Sequence, residues 1–390
     1  MKNLMKSLCV VAVALAAGMF TSCSNDEEQI STSEGQKVTL KINMPTMAQS
    51  RFVEAPVKGG DALTLSKVAV VFTNPGGTVT AKFAAPGDYT IAELNAGVTV
   101  TVPGTSTKVY AVANTTVTPE VGINFQDYVS DVTKLAAGSQ SGADAINIYG
   151  VADLKTPDTP ISGVDKVAKD TIATTVARFE VTDLTAAGEF ESFDVRGIYM
   201  DGFYENASID GTSGTLKALT TVGDNIGTDY QAGWSGAIFN EGKWTSAAPA
   251  AGTSTEQVAT AGTGNVWGYY VFAKPYYGKD GFDFTSKTAG SAVPTIIIKV
   301  DNVKLKDDAS QTDKDYYEGH TWYVTAKSFT LAGDGSNIES IVGGYVIKTA
   351  AGAFKVSEKT VTPDPNTKDI KVDVSVTPIV WKGIEVIPNV

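Results

Sequence analysis

Short apolar runs with a period of two, separated by turn residues, restrict this 390-residue chain to a small set of folds. Successive side chains of a strand point to opposite faces, so strict alternation predicts a strand that is buried on one side. The run 38–44 shows it clearly, with four apolar residues at even positions: Val38, Leu40, Ile42 and Met44. Comparable runs predict further strands over 65–72, 98–102, 108–113, 146–151, 174–181, 193–200, 269–273, 295–300, 321–327, 345–349 and 370–380.

The turns between these runs are rich in Gly, Pro, Asp and Thr, as in Asn74-Pro75-Gly76-Gly77. Many short strands at this spacing predict an all-β protein built from antiparallel β-sandwiches. The chain is long enough for two domains, and residues 183–191 resemble a junction between them. We therefore predict β-domains over 52–185 and 186–390, with one short helix over 127–137.

The first 22 residues have the features of a secretory signal peptide, 1–22. Lys2 and Lys6 precede an apolar stretch at 8–20 that is too short to span a bilayer. The following Thr21-Ser22-Cys23 resembles a bacterial lipobox, which makes Cys23 the predicted site of lipidation, including palmitate. The segment 24–28, with three acidic residues at 26–28, resembles the surface-export tag of Bacteroidota lipoproteins. The alternatives are an ordinary signal peptide and a solvated acidic tether.

Charge and composition remove several classes of function. A net charge of −12 without a cluster of Lys or Arg argues against a nucleic-acid partner and against electrostatic binding to a membrane, leaving a transient lipid anchor as the only membrane contact. One His and two Cys exclude the usual zinc and iron–sulfur sites, and the single His320 lies in a predicted turn. Asp307-Asp308 and the turn 334–337 could bind a calcium ion, although they lack the ligand spacing of a known calcium loop. We expect no cofactor and no enzymatic activity, assign no metal ligands, and leave a loop-bound metal ion open.

The C-terminal end alternates up to its last residue. From 370 to 390, ten of the eleven even positions are apolar. A single strand of that length would extend about 70 Å, so we expect the run to divide near Lys382-Gly383. Chain termini usually fray into polar tails, so this end is predicted to pair either in its own sheet or in another molecule. The predicted donor residues are Val372, Val374, Val376, Val380, Ile384, Val386 and Val390.

Arginine is rare in the chain, with only Arg51, Arg178 and Arg196 present. The last two fall in predicted strands, whereas Arg51 follows the 38–44 strand in a polar connection. A cut between Arg51 and Phe52 would release segment 23–51, a propeptide that carries the first strand and the lipid. The C-terminal strand of another subunit has a matching apolar pattern and could fill the space. The alternative is that Arg51 is an ordinary surface residue and that the last strand pairs within its own chain.

The order of these features resembles the fimbrillins of Bacteroidales, the type V pilus subunits, particularly the minor-fimbrium type. It comprises the lipobox, the first strand, Gln49-Ser50-Arg51-Phe52, the LSKVAVVF, KVYAVAN and TVARFEV strands, and the paired terminal strands 370–390. The resemblance implies two transthyretin-like antiparallel β-sandwich domains and export as a lipoprotein to the outer-membrane surface. It also implies cleavage by an Arg-specific protease and polymerisation with other pilin subunits, including anchor and tip subunits. Asp170-Thr171-Ile172 resembles an O-glycosylation acceptor, with Thr171 as the modified residue.

Two other assignments stay open at this point. Within a pilus, the Arg and the complete C-terminal end favour a shaft or stalk subunit over a tip or an anchor. Outside a pilus, the chain could be a monomeric surface lipoprotein that binds glycans or host proteins. Such a binder would use aromatic loop residues, for which the candidates are Trp234, Trp244, Trp267, Tyr276 and Tyr277. The residues do not specify the host or bacterial receptor.

Overall fold

The computed structural model describes residues 34–43, 65–136, 140, 145–182, 184–217, 239–240, 266–278, 282–287, 290–333, 335–350, 353–364 and 369–378. Several residues singled out above lie outside these ranges, namely Cys23, Met44, Arg51, Phe52, Trp234, Trp244, Val380, Ile384, Val386 and Val390. The described residues from Gly35 onward form one compact unit.

Nine strands occupy the first half of the described chain. They are β1 (Gly35–Asn43), β2 (Val68–Thr73), β3 (Val79–Ala85), β4 (Val98–Pro103), β5 (Lys108–Ala113), β6 (Leu135–Ala136), β7 (Ile148–Asp153), β8 (Lys166–Thr171) and β9 (Ala173–Thr174). Two sheets contain eight of them, in the orders β4-β1-β8 and β3-β2-β5-β7-β9. The larger sheet is antiparallel throughout.

The remaining strands belong to the second half. They are β10 (Val176–Thr182), β11 (Thr185–Ala186), β12 (Phe190–Asp201), β13 (Phe203–Ala207), β14 (Gly214–Lys217), β15 (Phe239–Asn240), β16 (Val266–Phe272), β17 (Thr295–Leu305), β18 (Trp322–Leu331), β19 (Tyr345–Thr349), β20 (Lys355–Val356) and β21 (Asp369–Pro378). An eight-stranded sheet has the order β12-β17-β18-β21-β19-β10-β16-β15. Two small sheets complete the set, β11-β20 and β14-β13-β6.

The predicted all-β, mainly antiparallel class is confirmed. Most predicted strands coincide with an observed strand to within a few residues, and the turn at 74–77 closes the β2–β3 hairpin. There the Asn74 side chain accepts the Thr78 N–H, and Gly77 has a φ of +81°, a backbone conformation that favours glycine. The sheets change between β9 and β10, so the predicted strand 174–181 contributes β10 to the second group. The division into domains at 185/186 stays a prediction.

The helices in the described ranges are short: α1 (Ile91–Ala96), α2 (Phe125–Ser130) and α3 (Gln311–Tyr317). The helix predicted over 127–137 was placed wrongly, because α2 starts earlier and ends sooner. The Asn124 side chain caps its start by accepting the N–H groups of Gln126 and Asp127. At its end the Asp131 carboxylate accepts the Thr133 N–H in a turn that interrupts the helix. Within the part of the chain described, no helix is long and apolar enough to cross a membrane.

Candidate strand-exchange site

The first strand lies in the middle of its sheet rather than at an edge. β1 runs antiparallel to β4, with a register from Gly35 opposite Pro103 to Leu40 opposite Val98. On its other side it runs parallel to β8, from Val38 opposite Lys166 to Asn43 opposite Thr171. Removing β1 would therefore leave two strand edges without hydrogen-bonding partners, a condition that invites pairing with another strand.

The inner face of β1 is part of the hydrophobic core. Val38, Leu40 and Ile42 are 0 %, 1 % and 2 % exposed, respectively. Helix α1 packs against the strand and contributes the buried Leu94. Burying three such side chains contributes roughly 5–9 kcal/mol before ordering costs, at about 1.5–3 kcal/mol each. The period-two prediction of a half-buried first strand is confirmed for these three residues.

The backbone groups of β1 point alternately to its two neighbours. The Lys37 N–H donates to the Asp165 carboxylate at 2.6 Å, and the Lys37 carbonyl accepts the Asp165 N–H at 2.8 Å. Lys37 therefore faces the β8 side, and so do the other odd-numbered residues of β1. The even-numbered residues face β4. The pairing of β1 with β4 ends at Leu40, which lies opposite Val98. The backbone groups of Ile42 on that side therefore lie beyond the end of the β1–β4 hydrogen-bond ladder.

One polar side chain anchors the start of β1. The buried Gln36 side chain donates from Nε2 to the carbonyl of Ser106 at 2.7 Å and to that of Pro103 at 3.2 Å. The Pro103 carbonyl ends β4, and the Ser106 carbonyl lies in the turn between β4 and β5. The Ser106 side chain is in turn within 2.7 Å of the Thr80 hydroxyl. A strand that replaces β1 must supply a hydrogen-bond donor at the Gln36 position. Otherwise the Pro103 and Ser106 carbonyls lose the hydrogen bonds that Gln36 donates.

The beginning of the predicted donor segment is built into its own sheet. β21 lies between β18 and β19, parallel to the first and antiparallel to the second. Val372 and Val374 are fully buried there, and Val376 is half-buried. These three residues belong to the eight-stranded sheet, and Val372 and Val374 are part of its buried core. Residues 379–390 lie outside the described ranges, and the donor role of all seven predicted residues stays a prediction.

Arg178 and Arg196 both lie in strands, as predicted. Arg178 in β10 is 0 % exposed, and its Nε donates to the Glu180 carboxylate at 2.8 Å. Its guanidinium also lies 5.0 Å from the centre of the Tyr270 ring. Arg196 is part of β12, which pairs with β17. A protease needs an accessible, extended segment, so neither bond is available in the folded chain.

The remaining candidates from the sequence are dispersed. Thr171, the predicted glycosylation residue, is half-buried at the end of β8 and pairs with Asn43 of β1. His320 is exposed in a turn, and its Nδ1 lies 3.0 Å from the Glu318 carbonyl oxygen. Across the described ranges, no three His, Cys, Asp or Glu residues converge as metal ligands would.

Of the aromatic residues proposed for a binding surface, two have described side chains. Tyr277 is 39 % exposed and donates from its hydroxyl to the Tyr149 carbonyl at 3.3 Å. Tyr276 instead packs against Phe282 and Tyr345 in a largely internal cluster. Burial raises the pKa of the Tyr345 hydroxyl, which accepts the Phe282 N–H. Of the two tyrosines, Tyr277 is therefore the one with a ring exposed to solvent.

Two components of the site were not predicted from the sequence. β8 contains only Val167 and Ala168 as apolar residues in KVAKDT, too few to show a strand pattern. The anchoring role of Gln36 depends on a turn about 70 positions further along the chain. No local signal identifies either of them.

Three solved structures show the similarities of this chain to known proteins. A protein provisionally assigned to cell adhesion from Bacteroides eggerthii has 13 % identity and a TM-score of 0.48, over 89 % of this chain and 96 % of that one. A fimbrillin from Porphyromonas gingivalis has 14 % identity and a TM-score of 0.48, over 88 % and 97 %. A second protein provisionally assigned to adhesion, from Parabacteroides distasonis, has 13 % identity and a TM-score of 0.46, over 91 % and 99 %.

No protein-family model matches the chain, and no curated protein matches it in sequence.

Proposed function

We propose that this chain is a shaft subunit of a surface fimbrium, polymerised by strand exchange and serving adhesion. Export as a lipoprotein on Cys23 delivers it to the outer surface. An Arg-specific protease then cuts between Arg51 and Phe52, and β1 leaves with the propeptide. The C-terminal segment of another subunit takes its place. Anchor and tip subunits of the same fibre would be further partners.

The observation that carries the proposal is the position of β1. It is the first described strand of the chain, yet it lies between β4 and β8 and buries Val38, Leu40 and Ile42. A single cut in the connection between β1 and β2 makes this strand a separate, exchangeable segment. The empty groove would then expose apolar surface and two unpaired edges, which favours the binding of a new strand.

The chain has one arginine suited to such a cut. Arg178 is buried in β10, and Arg196 belongs to a paired strand. Arg51 lies in a polar connection of the sequence, with Gln49 and Ser50 before it. An Arg-specific protease would therefore act at one bond and leave the rest of the fold intact.

The segment after β21 supplies the donor. Twelve residues follow Pro378, and in extended form they reach about 40 Å, compared with about 30 Å for the nine residues of β1. Ile384, Val386, Pro388 and Val390 form one apolar face. The segment is therefore long enough to fill the groove of a neighbour while β21 stays in its own sheet. An alternating donor segment together with a cleavable Arg favours a shaft subunit over an anchor.

The variant Arg51→Ala tests this proposal. It should remain a folded, lipidated monomer after exposure to an Arg-specific protease, because β1 stays covalently attached. The matched control Lys58→Ala removes a positive charge from the same connection without touching an arginine, and it should polymerise normally. Fibre formation is measured by electron microscopy and non-boiled gels. Normal fibres from Arg51→Ala would show that cleavage after Arg51 is not required for polymerisation, which contradicts the proposal.

A further inference from the structure

We propose that the donor segment docks in a single register, running in the same direction as β1. Ile384, Val386 and Pro388 of one subunit take the positions of Val38, Leu40 and Ile42 in the next. The inference rests on the proposed function, because it needs an emptied β1 groove and a second copy of this chain. It specifies which contacts make that copy the partner.

Four placements of the C-terminal segment put side chains that can fill the groove at all three buried positions. In the direction of β1, the residues at 38, 40 and 42 are either 384, 386 and 388 or 386, 388 and 390. In the opposite direction they are either 388, 386 and 384 or 390, 388 and 386. The placements differ in where Pro388 falls.

Proline has no N–H, so its position in a central strand decides between them. In the proposed register Pro388 replaces Ile42, whose backbone points past the end of the β4 ladder, so no ladder bond is lost. In the other placement of the same direction it replaces Leu40, which faces Val98 within that ladder.

Reversing the donor turns the backbone groups of its inward-facing residues from β4 towards β8. Pro388 would then replace Val38 or Leu40, opposite Lys166 or Ala168 of β8. Both positions lie within the β8 ladder, so each reversed placement loses a hydrogen bond. The register that replaces Ile42 with Pro388 is the one of the four without this loss.

The anchor at Gln36 selects the same register. Lys382 falls at the Gln36 position, and its ammonium offers donors for the Ser106 and Pro103 carbonyls. The other placement in this direction puts Ile384 there, which cannot donate. Gly383 falls at Lys37, and its N–H would reach the Asp165 carboxylate.

The same register shows where docking begins. Trp381 would fall at Gly35, where a Cβ would lie 2.8 Å from a methyl carbon of Thr101. The bulky indole does not fit beside Thr101 unless that side chain moves. The docked strand therefore starts at Lys382.

Disulfide cross-linking distinguishes the registers. Thr39 lies directly opposite Thr99 with 3.1 Å between the hydroxyl oxygens, and the pair is of the closer kind without mutual backbone bonds. The exposed Thr99 is replaced by cysteine together with one donor residue, Glu385→Cys, Ile387→Cys or Asn389→Cys. Cleaved subunits lack Cys9 and Cys23, so no other thiol interferes.

In the proposed register residue 385 occupies the Thr39 position. Oxidised polymers of Thr99→Cys/Glu385→Cys should run as a covalent ladder on denaturing, non-reducing gels, whereas the 387 and 389 pairs should not. A ladder at 387 or 389 instead would overturn the register and leave strand exchange standing. A disulfide within one chain would show that the groove holds its own C-terminal segment, which contradicts the inference. Absence of polymers from the unmodified chain would contradict the proposed function itself.

The anchor has a test of its own. Lys382→Ala should lower the temperature at which polymers dissociate in detergent, and Lys382→Gln, which restores an amide donor, should recover most of that loss. The exposed Lys359 serves as control, since Lys359→Ala should leave the dissociation temperature unchanged. Equal dissociation temperatures for Lys382→Ala and the unmodified chain would contradict the proposed anchor.

Discussion

Two buried polar side chains in the strands of this protein have specific partners. At the start of β1, the Gln36 amide donates to the carbonyls of Pro103 and Ser106. In β10, Arg178 is 0 % exposed and pairs with Glu180 of the same strand at 2.8 Å. Its terminal nitrogens Nη1 and Nη2 have no hydrogen-bond partner within the part of the chain that the structure describes. The carboxylate of Glu180 is therefore the main compensation for a buried charge.

Removing the Glu180 carboxylate should strongly destabilise the eight-stranded sheet that contains β10. Glu180→Ala leaves the Arg178 guanidinium buried without its counter-charge, and the expected loss in free energy of unfolding is about 3–5 kcal/mol. The matched double variant Arg178→Met/Glu180→Leu removes both charges and should recover most of the loss. Denaturant unfolding of the folded monomer measures both. A Glu180→Ala variant as stable as the unmodified chain would show that the pair contributes little.

Residue-level prediction from the sequence worked where the physics is local. Val38, Leu40 and Ile42 follow from alternation alone, and all three are buried. Lys41 occupies a position that alternation assigns to solvent, yet it is buried as well. Its burial depends on the tertiary surroundings of β1, which the period of the sequence does not encode.

At the scale of elements, our account assigns different fates to the first and the last described strand. We propose that a protease cuts the connection after β1, whereas β21 stays between β18 and β19 of its own sheet. The alternating run from 370 to 390 therefore serves two roles in our account. Residues up to Pro378 complete the fold, and the residues beyond it act on a neighbour.

Deleting 384–390 should separate these roles. The monomer should keep its thermal midpoint, because β21 remains, and it should fail to polymerise. A matched pair of substitutions sharpens the test: Val386→Asp places a charge in the apolar groove and should block assembly, whereas Glu385→Gln on the outer face should not. Thermal unfolding and non-boiled gels give the two readouts. Loss of folding on deletion would mean that this strand pairs within its own chain.

Strand prediction failed where a strand lacks alternation of its own. β8 is defined largely by its parallel pairing with β1, and its sequence shows only two apolar residues. β10 falls within the predicted domain 52–185 but pairs with β16 and β19. Sequence patterns indicate that a segment is a strand, while the choice of partner depends on contacts far along the chain.

At the scale of the whole molecule, the two groups of strands are joined by buried polar contacts. Asn147 of the first half donates from Nδ2 to the Ile209 carbonyl at 2.8 Å, and the Asp210 N–H donates to the Val129 carbonyl at 3.2 Å. The Asp210 carboxylate also accepts hydrogen bonds from Ser208 and Thr212, which shape the turn. In our account, one strand is exchanged while these contacts continue to join the two groups of strands.

The central claim is that one cut makes β1 exchangeable. Limited digestion of the chain from Ser24 onward with an Arg-specific protease, followed by N-terminal sequencing and a non-boiled gel, tests it most directly. The account predicts one new N-terminus at Phe52 together with a ladder of oligomers. A chain that is cut at Phe52 and stays monomeric, or that is not cut there, would contradict it and favour a monomeric surface protein or an uncleaved anchor.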